Sequence, residues 1–464
     1  MTGSGRGTLF GALFDRGPIG AGDHDWLQAM LDTEAALARA LERAGLAVPG
    51  SGAAVTAVAR AEFVDMGELG RQAALTGNPV PALVRVLTGL LPPGPAGAAD
   101  AVHRGATSQD IIDTAAMLVS RRALGAIIAD LSRAADRAAE LAAEHARTVL
   151  AGRTLLQQAV PVTFGLVAAG WLTAIDDAIA GLRRVNDRRL AVQYGGAAGT
   201  LASLGAAGPG VAALLAEELG LALPVLPWHT DRLRIIELAA ALAGASAVLG
   251  KLARDVTLLA QTEVAEVSEG DGAPGRGGSS AMPHKHNPVA AICILGCVKR
   301  APGLLATLTA AAEQEHQRAA GAWHAEWGTL SDLISLTGSA ANWAAELLGG
   351  LHVDAARMRA NLEQSAGLPL AENVAAVLSQ ALGRLAAHDL VADASRRAAA
   401  HGIDLGHALF DDPATAASLA EAGIGRDQIS AALDPASYLG ATPDLIRRAL
   451  TAHTHPTPAL SDRA

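Results

Sequence analysis

The sequence predicts an all-α protein built around five long helices, on three grounds. Hydrophobic residues make up 50% of the 464 and charged residues 18%, enough apolar side chain for a sizeable core. Aromatics are only 3%, which leaves that core to Leu, Ala and Val, side chains suited to close helix-on-helix packing. Five stretches, roughly 108–150, 162–190, 231–264, 287–318 and 321–353, have few internal Gly or Pro, and convincing β-alternation is absent.

Ahead of these runs, residues 25–46 space their apolar positions by three and four, the mark of an amphipathic helix. "LPPGPAGAAD" (91–100) then breaks the pattern, and an N-terminal helical domain is expected over 1–104. The long runs form a central domain over 105–360, with a kink expected at Pro302. Beyond it the helices shorten and Gly and Pro return, which sets a small helical domain over 361–464 with a disordered tail from 454. Internal repeats are not evident.

Charge narrows the partners. Against 36 Lys+Arg stand 46 Asp+Glu, a net of −10 that disfavours nucleic acid but leaves room for a small anionic substrate in a locally cationic pocket. Cys293 and Cys297, four residues apart on an expected helix, read as small core residues rather than a disulfide or metal pair. The start lacks a signal peptide's apolar run, and Leu238–Gly250, ending at Lys251, reads as too short to span a bilayer. A soluble cytoplasmic protein is expected, without membrane partners.

Function gathers on the connections: "HRGATSQD" (103–110), "GRTLLQQAVP" (152–161), "QYGGAAGT" (193–200), "PWHTDR" (227–232) and "SEGDGAPGRGGSSAMPHKHNP" (268–288). The last of these lacks the Lys-Ser/Thr ending of a phosphate-cradling loop, and "SAMPHK" is not a Ser-x-x-Lys motif. Its His-x-His pair has no third ligand at metal-binding spacing, so no metal and no cofactor is expected. Lys285 lies just ahead of an expected helix N-terminus opened by Asn287-Pro288. That places an ammonium, backbone N–H groups and a positive dipole end where an oxyanion could sit. Ser279 beside them could lose its proton readily and serve as base or acid. Glycines 270, 272, 275, 277 and 278 would let the loop close. An ordinary flexible connector explains the glycines, but not a lysine between two histidines.

With those residues in view, the string resembles the fumarase/aspartase superfamily signature GSSxMPxKxNP, matched without a gap. "HRGATSQD" and "GRTLLQQAVP" resemble that family's first and second regions, in its order, and the resemblance covers essentially the whole chain. It implies a three-domain fold with a central five-helix bundle and chemistry beside a carboxylate through an aci-carboxylate carbanion. Ser279 would take or give the Cα proton, with Ser280 as the competing hydroxyl, while Lys285 and Asn287 hold the charged carboxylate. Thr107, Ser108, Thr154 and Gln157 would bind substrate; for Thr107 and Ser108 a helix N-cap is the competing role. The resemblance also implies a homotetramer, each site drawn from three subunits. Long helices apolar on more than one face agree, because they need a partner.

One departure selects a branch. Most members carry a His in a GRTHxQ pattern that protonates the leaving group, and Leu155 stands there in this chain. An amine or hydroxide leaving group needs an acid. A carboxylate, with an ordinary pKa near ~4, does not. The missing His therefore matches lactone chemistry, and the sequence resembles the 3-carboxy-cis,cis-muconate cycloisomerases of aromatic catabolism, which also lack it. "LLQQAVPVTFGLVAAGW" (155–171), "LPWHTDR" (226–232) and "EHQRAAGAWHAEW" (315–327) resemble that branch too.

A tricarboxylate substrate would draw on His103, Arg104, His229, Lys285, His286 and Arg318, with Met282 nearby; any one histidine could equally be structural. Trp228, Trp323 and Trp327 read as core, or as pocket wall. An adenylosuccinate-lyase-like enzyme using His103 or His229 as acid is the alternative, and a structural lens-type protein a weaker one, since it has no need of the Ser–Lys–Asn loop.

Overall fold

The computed structural model describes residues 9–91, 97–270, 276–282 and 284–455. Most of the tail expected to be disordered, the centre of the 91–100 breaker, Gly272, Gly275 and Pro283 lie outside the described residues. The fold is all-α, as the composition predicts. Its principal helices are α1 (Asp23–Arg43), α2 (Ser108–Glu144), α3 (Phe164–Arg188), α4 (Leu233–Leu259), α5 (Val289–Val298), α6 (Ala301–Ala310) and α7 (Ala322–Gly349). Contacts divide the chain into two compact units. One comprises Met1–Ser132, Asp177–Lys251 and Ile292–Ala345, the other Arg133–Asp176, Leu252–Ala291 and Glu346–Ala464.

In the first unit, α1 starts where Asp25 accepts the Gly22 N–H at 3.0 Å. Leu27, Met30, Leu31, Leu37 and Leu41 then bury one face at helical spacing. Within that apolar stripe sits an acid, Glu34, which is 0% exposed. The helix packs on Ser51–Val58 and on Gly208–Leu219, where Arg39 bonds Glu218 at 2.7 Å. The expected fourth long helix is two helices. Arg300 precedes α6 and Pro302 occupies its first turn, where a missing N–H costs nothing, so the chain stops and restarts instead of kinking.

The second unit corrects the expectation that β-structure is absent. β1 (Val149–Thr154) and β2 (Gln157–Thr163) form an antiparallel hairpin, and β3 (Val267–Glu269) pairs with β4 (Leu351–Val353). Alternation in β1 is interrupted by a bulge between Ala151 and Arg153, which hides the period-two signal. β4 also takes the end of the expected fifth helix. Thr154 faces Gln157, so Leu155 and Leu156 alone make the turn. Both are left-handed, at φ 51° and 65°, the two-residue geometry that Asn-Gly normally supplies. Beneath the tip, Arg153 grips the wholly buried Glu266 through two bonds of 2.9 and 2.6 Å, and Asn361 donates to the same carboxylate at 2.9 Å. Val374, Leu378, Val391, Leu405, Leu409, Leu419 and Ile429 form the core of the short C-terminal helices.

The apolar stretch read as 238–250 does not end at Lys251. α4 runs on through it, and Phe164–Arg188, Leu233–Leu259 and Val289–Ala310 are each long and apolar enough to cross a membrane by length and composition alone. Their apolar windows are only 44%, 44% and 33% buried within the chain, so each leaves an apolar face to be covered. One charge on them is used internally: Asp255 of α4 accepts the Trp171 indole N–H of α3 at 2.7 Å.

Candidate active site in two loop clusters

The 103–110, 193–200 and 227–232 loops meet in the first unit on one carboxylate, Asp110, which is 0% exposed. Asp110 accepts the backbone N–H groups of Thr107 (2.9 Å), Gly195 (3.0 Å) and Gly196 (2.9 Å), and it pairs with His229 Nε2 at 2.7 Å. Gly195 allows the approach, because a Cβ there would lie 2.9 Å from the His229 ring and 2.7 Å from Pro227. His103, left-handed at φ 56°, is held the same way: Glu34 takes its backbone N–H at 2.9 Å and its Nδ1 at 2.7 Å. Burial alone would depress the His103 pKa, but the Glu34 contact and the charge of Asp110 lift it above the ordinary histidine value.

Below these, Arg232 bridges Asp113 and Glu326, with Nη2 at 2.9 and 2.6 Å from the two carboxylates and none of the three residues more than 3% exposed. Burial and the neighbouring charge of Asp113 push the Glu326 carboxyl up, against the pull of Arg232. Trp323 donates to Asp113 at 3.0 Å and Trp228 to Val192 O at 2.9 Å, so both buried indoles are structural. Trp327 instead lines an apolar cavity of about 350 Å³ with Trp26, Met30 and Met66. Arg104 donates to Leu46 O, and Arg318 to Ala197 O at 2.8 Å; neither guanidinium has a carboxylate partner among the described residues. The hydroxyls of Thr107 and Ser108 cap nothing among the described residues.

The second unit holds Thr154, Gln157, Ser279, Ser280, Met282, Lys285, His286 and Asn287. Thr154 and Gln157 are exposed partners across the hairpin tip, and Leu155 itself is 97% exposed. In the signature loop, Ser279 Oγ accepts the N–H groups of Met282 at 3.1 Å and Ala281 at 3.3 Å. Ser280, Met282, His284, Lys285 and His286 are exposed. Asn287 gives its backbone N–H (2.8 Å) and side-chain N–H (3.0 Å) to Gly277 O. Gly277 is no simple hinge, since at φ 72° a Cβ would lie 2.7 Å from Asn287 O.

The α5 N-terminus also differs from expectation. Glu269 caps it, accepting from Ala290 (3.0 Å) and Ala291 (2.9 Å), so these two N–H groups are not open to an anion.

A family model described as "Lyase" matches residues 22–303, and one described as "Adenylosuccinate lyase C-terminus" matches residues 367–449. The chain belongs to the fumarase/aspartase superfamily. Among its superfamily relatives, it is 47% identical to the 3-carboxy-cis,cis-muconate cycloisomerase of Pseudomonas aeruginosa, covering 96% of each chain. It is also 45% identical to a nitrosuccinate lyase of Streptomyces davaonensis, covering 92% of this chain and 90% of that one. The crystal structure of the 3-carboxy-cis,cis-muconate lactonizing enzyme from Pseudomonas putida matches with a TM-score of 0.90 and 44% identity, over 96% of this chain and 99% of that one.

Within this superfamily member, sequence reasoning missed the acids Glu34, Asp110, Asp113, Glu266, Glu269 and Glu326. Glu34 did leave a signal: it is an acid on the apolar stripe of α1.

Proposed function

We propose that this chain is a 3-carboxy-cis,cis-muconate cycloisomerase working in aromatic catabolism. One substrate carboxylate oxygen adds to the alkene carbon β to another carboxylate and closes a lactone. The alkene electron pair moves into that second carboxylate, and the Ser279 hydroxyl delivers a proton to the carbon between. Solvent reprotonates the serine, so product and substrate are isomers. Lys285 and the amide of Asn287 hold the aci-carboxylate. His103, Arg104, Thr107, Ser108, Thr154, Gln157, His229, Ser280, Met282, His286 and Arg318 bind substrate. The two N–H groups on Ser279 Oγ favour its anion, which supports Ser279 over Ser280 as proton carrier.

The observation that carries this reading is Leu155, exposed at the hairpin tip where the GRTHxQ pattern of the resembled family has an acid. A leaving group stable as an anion dispenses with that acid. The similarity to a nitrosuccinate lyase favours a second reading of the same chemistry, since nitrite also leaves as a stable anion. We place the enzyme in the cytoplasm as a soluble homotetramer in which other copies cover the half-buried long helices, with domains divided near residues 104 and 360.

The test is ultraviolet absorbance of 3-carboxy-cis,cis-muconate with purified protein, alongside colorimetric nitrite release from nitrosuccinate. Loss of the diene signal supports the cycloisomerase. Nitrite release without it moves the assignment to the second reading, and neither change overturns both.

A further inference from the structure

We propose that Glu34 is a positioning residue that keeps His103 in its charged form and aims it at a substrate carboxylate. The inference rests on the reading of a polyanionic substrate above, and on the geometry of one buried pair.

Glu34 occupies a position that the α1 pattern reserves for an apolar side chain. It is 0% exposed in a helix whose neighbouring buried residues are Leu31, Ala35 and Leu37. A carboxylate there carries a desolvation cost that only a partner offsets. Its contacts are both with one residue 69 positions away: Oε2 accepts the His103 backbone N–H and Oε1 meets Nδ1. The backbone bond fixes the left-handed turn at His103, and the ring bond fixes the imidazole, an ionised Glu34 favouring a proton on Nδ1. The side chain of His103 remains 22% exposed, and Nε2 has no partner among the described residues. A buried core acid has thus been given to a largely buried ring whose edge reaches the mouth of the 103–110 loop.

The charges around that ring set its behaviour. Glu34 approaches from α1 and Asp110 from the start of α2, with His229 paired to Asp110. Arg104 follows in the same loop, and its carbonyl accepts the Tyr194 hydroxyl at 2.8 Å from the 193–200 loop. Two carboxylates near one buried imidazole favour imidazolium, and the His103 pKa is raised accordingly, against the effect of burial. A histidine with a raised pKa holds its charge, and whatever affinity that charge supplies, until pH climbs through the raised value. Removing Glu34 leaves the burial and takes away the nearer acid, so the charge is lost at lower pH.

The experiment compares wild type, Glu34→Gln and His103→Asn as full-length protein. Tricarballylate, an unreactive tricarboxylate, is titrated calorimetrically across the neutral range, and kcat and KM are measured with 3-carboxy-cis,cis-muconate over the same range. For Glu34→Gln the pH at which tricarballylate affinity is half lost should fall below that of the wild type. KM should follow it, with kcat at the acid end little changed, and acidification should restore binding. His103→Asn should bind weakly at every pH. Parallel profiles for wild type and Glu34→Gln would overturn the proposal. If Glu34→Gln does not fold, the His103 pKa is read in the wild type by nitrogen-15 imidazole NMR, and a value at or below that of an ordinary histidine overturns it. The binding and NMR arms need no turnover, so failure of the cycloisomerase assay alone would reject the reaction and not the Glu34 role.

Discussion

In one unit Glu34, Asp110, Asp113, Arg232 and Glu326 are each at most 3% exposed and tied to partners, while in the other Ser280, Met282, Lys285 and His286 stand exposed. The first cluster is assembled by the chain's own folding: three loops share Asp110, and a cation bridges two acids beneath them. The second is anchored at its base, by Asn287 on Gly277 O, Glu269 on the α5 terminus and Arg153 on Glu266. A group satisfied in the interior resists reorganisation, whereas an exposed one gains its main contacts when a ligand or another copy arrives. The lesson is a contrast between charges fixed by the fold and polar side chains presented on an open loop.

Four outcomes would break or sharpen that contrast. Ser279→Ala should lower kcat by ~10³-fold or more, within the range for losing a positioned acid or base, with an unchanged far-ultraviolet circular dichroism spectrum. Unaltered turnover would remove the serine from the mechanism.

Arg232→Met belongs to the built cluster and should act on stability instead. It strands two buried carboxylates, at a cost of about 3–5 kcal/mol in urea denaturation. A loss under 1 kcal/mol would mean that the cluster is better solvated than its burial implies.

Replacing Leu155-Leu156 by Asn-Gly should relieve two left-handed leucines and stabilise the hairpin by about 1 kcal/mol. Lower activity together with a higher Tm would show that the leucines are held there for function.

The smallest effect is expected at Cys297, buried, with its thiol pushed up to about 12 by burial and the nearby Cys293. It should not react with Ellman's reagent at neutral pH until the protein is unfolded.

The helical fold and the signature loop were legible because helical spacing and a dense run of Ser, Lys, His and Pro are local signals. The acids behind the histidines were not. Asp110, Asp113 and Glu326 sit on helices where an acid ordinarily reads as a cap or a solvated position, and Arg232 lay in "PWHTDR" without a visible partner. Their meaning depends on contacts between segments up to 210 positions apart, from Asp113 to Trp323, which no periodicity reports. The hairpin escaped notice for a different reason, its bulge and its Leu-Leu turn, because neither residue announces a left-handed backbone. Only Glu34, an acid within an apolar stripe, offered a sequence clue.

The hairpin tip also bears on how such enzymes diversify. Leucine and histidine codons can differ by a single base, and position 155 is 97% exposed at the end of a ribbon whose base is secured by Arg153 and Glu266. One nucleotide change could therefore add or remove a proton donor with little consequence for folding. That makes the tip an accessible point in the gene at which a lineage could move between leaving groups that need an acid and those that do not.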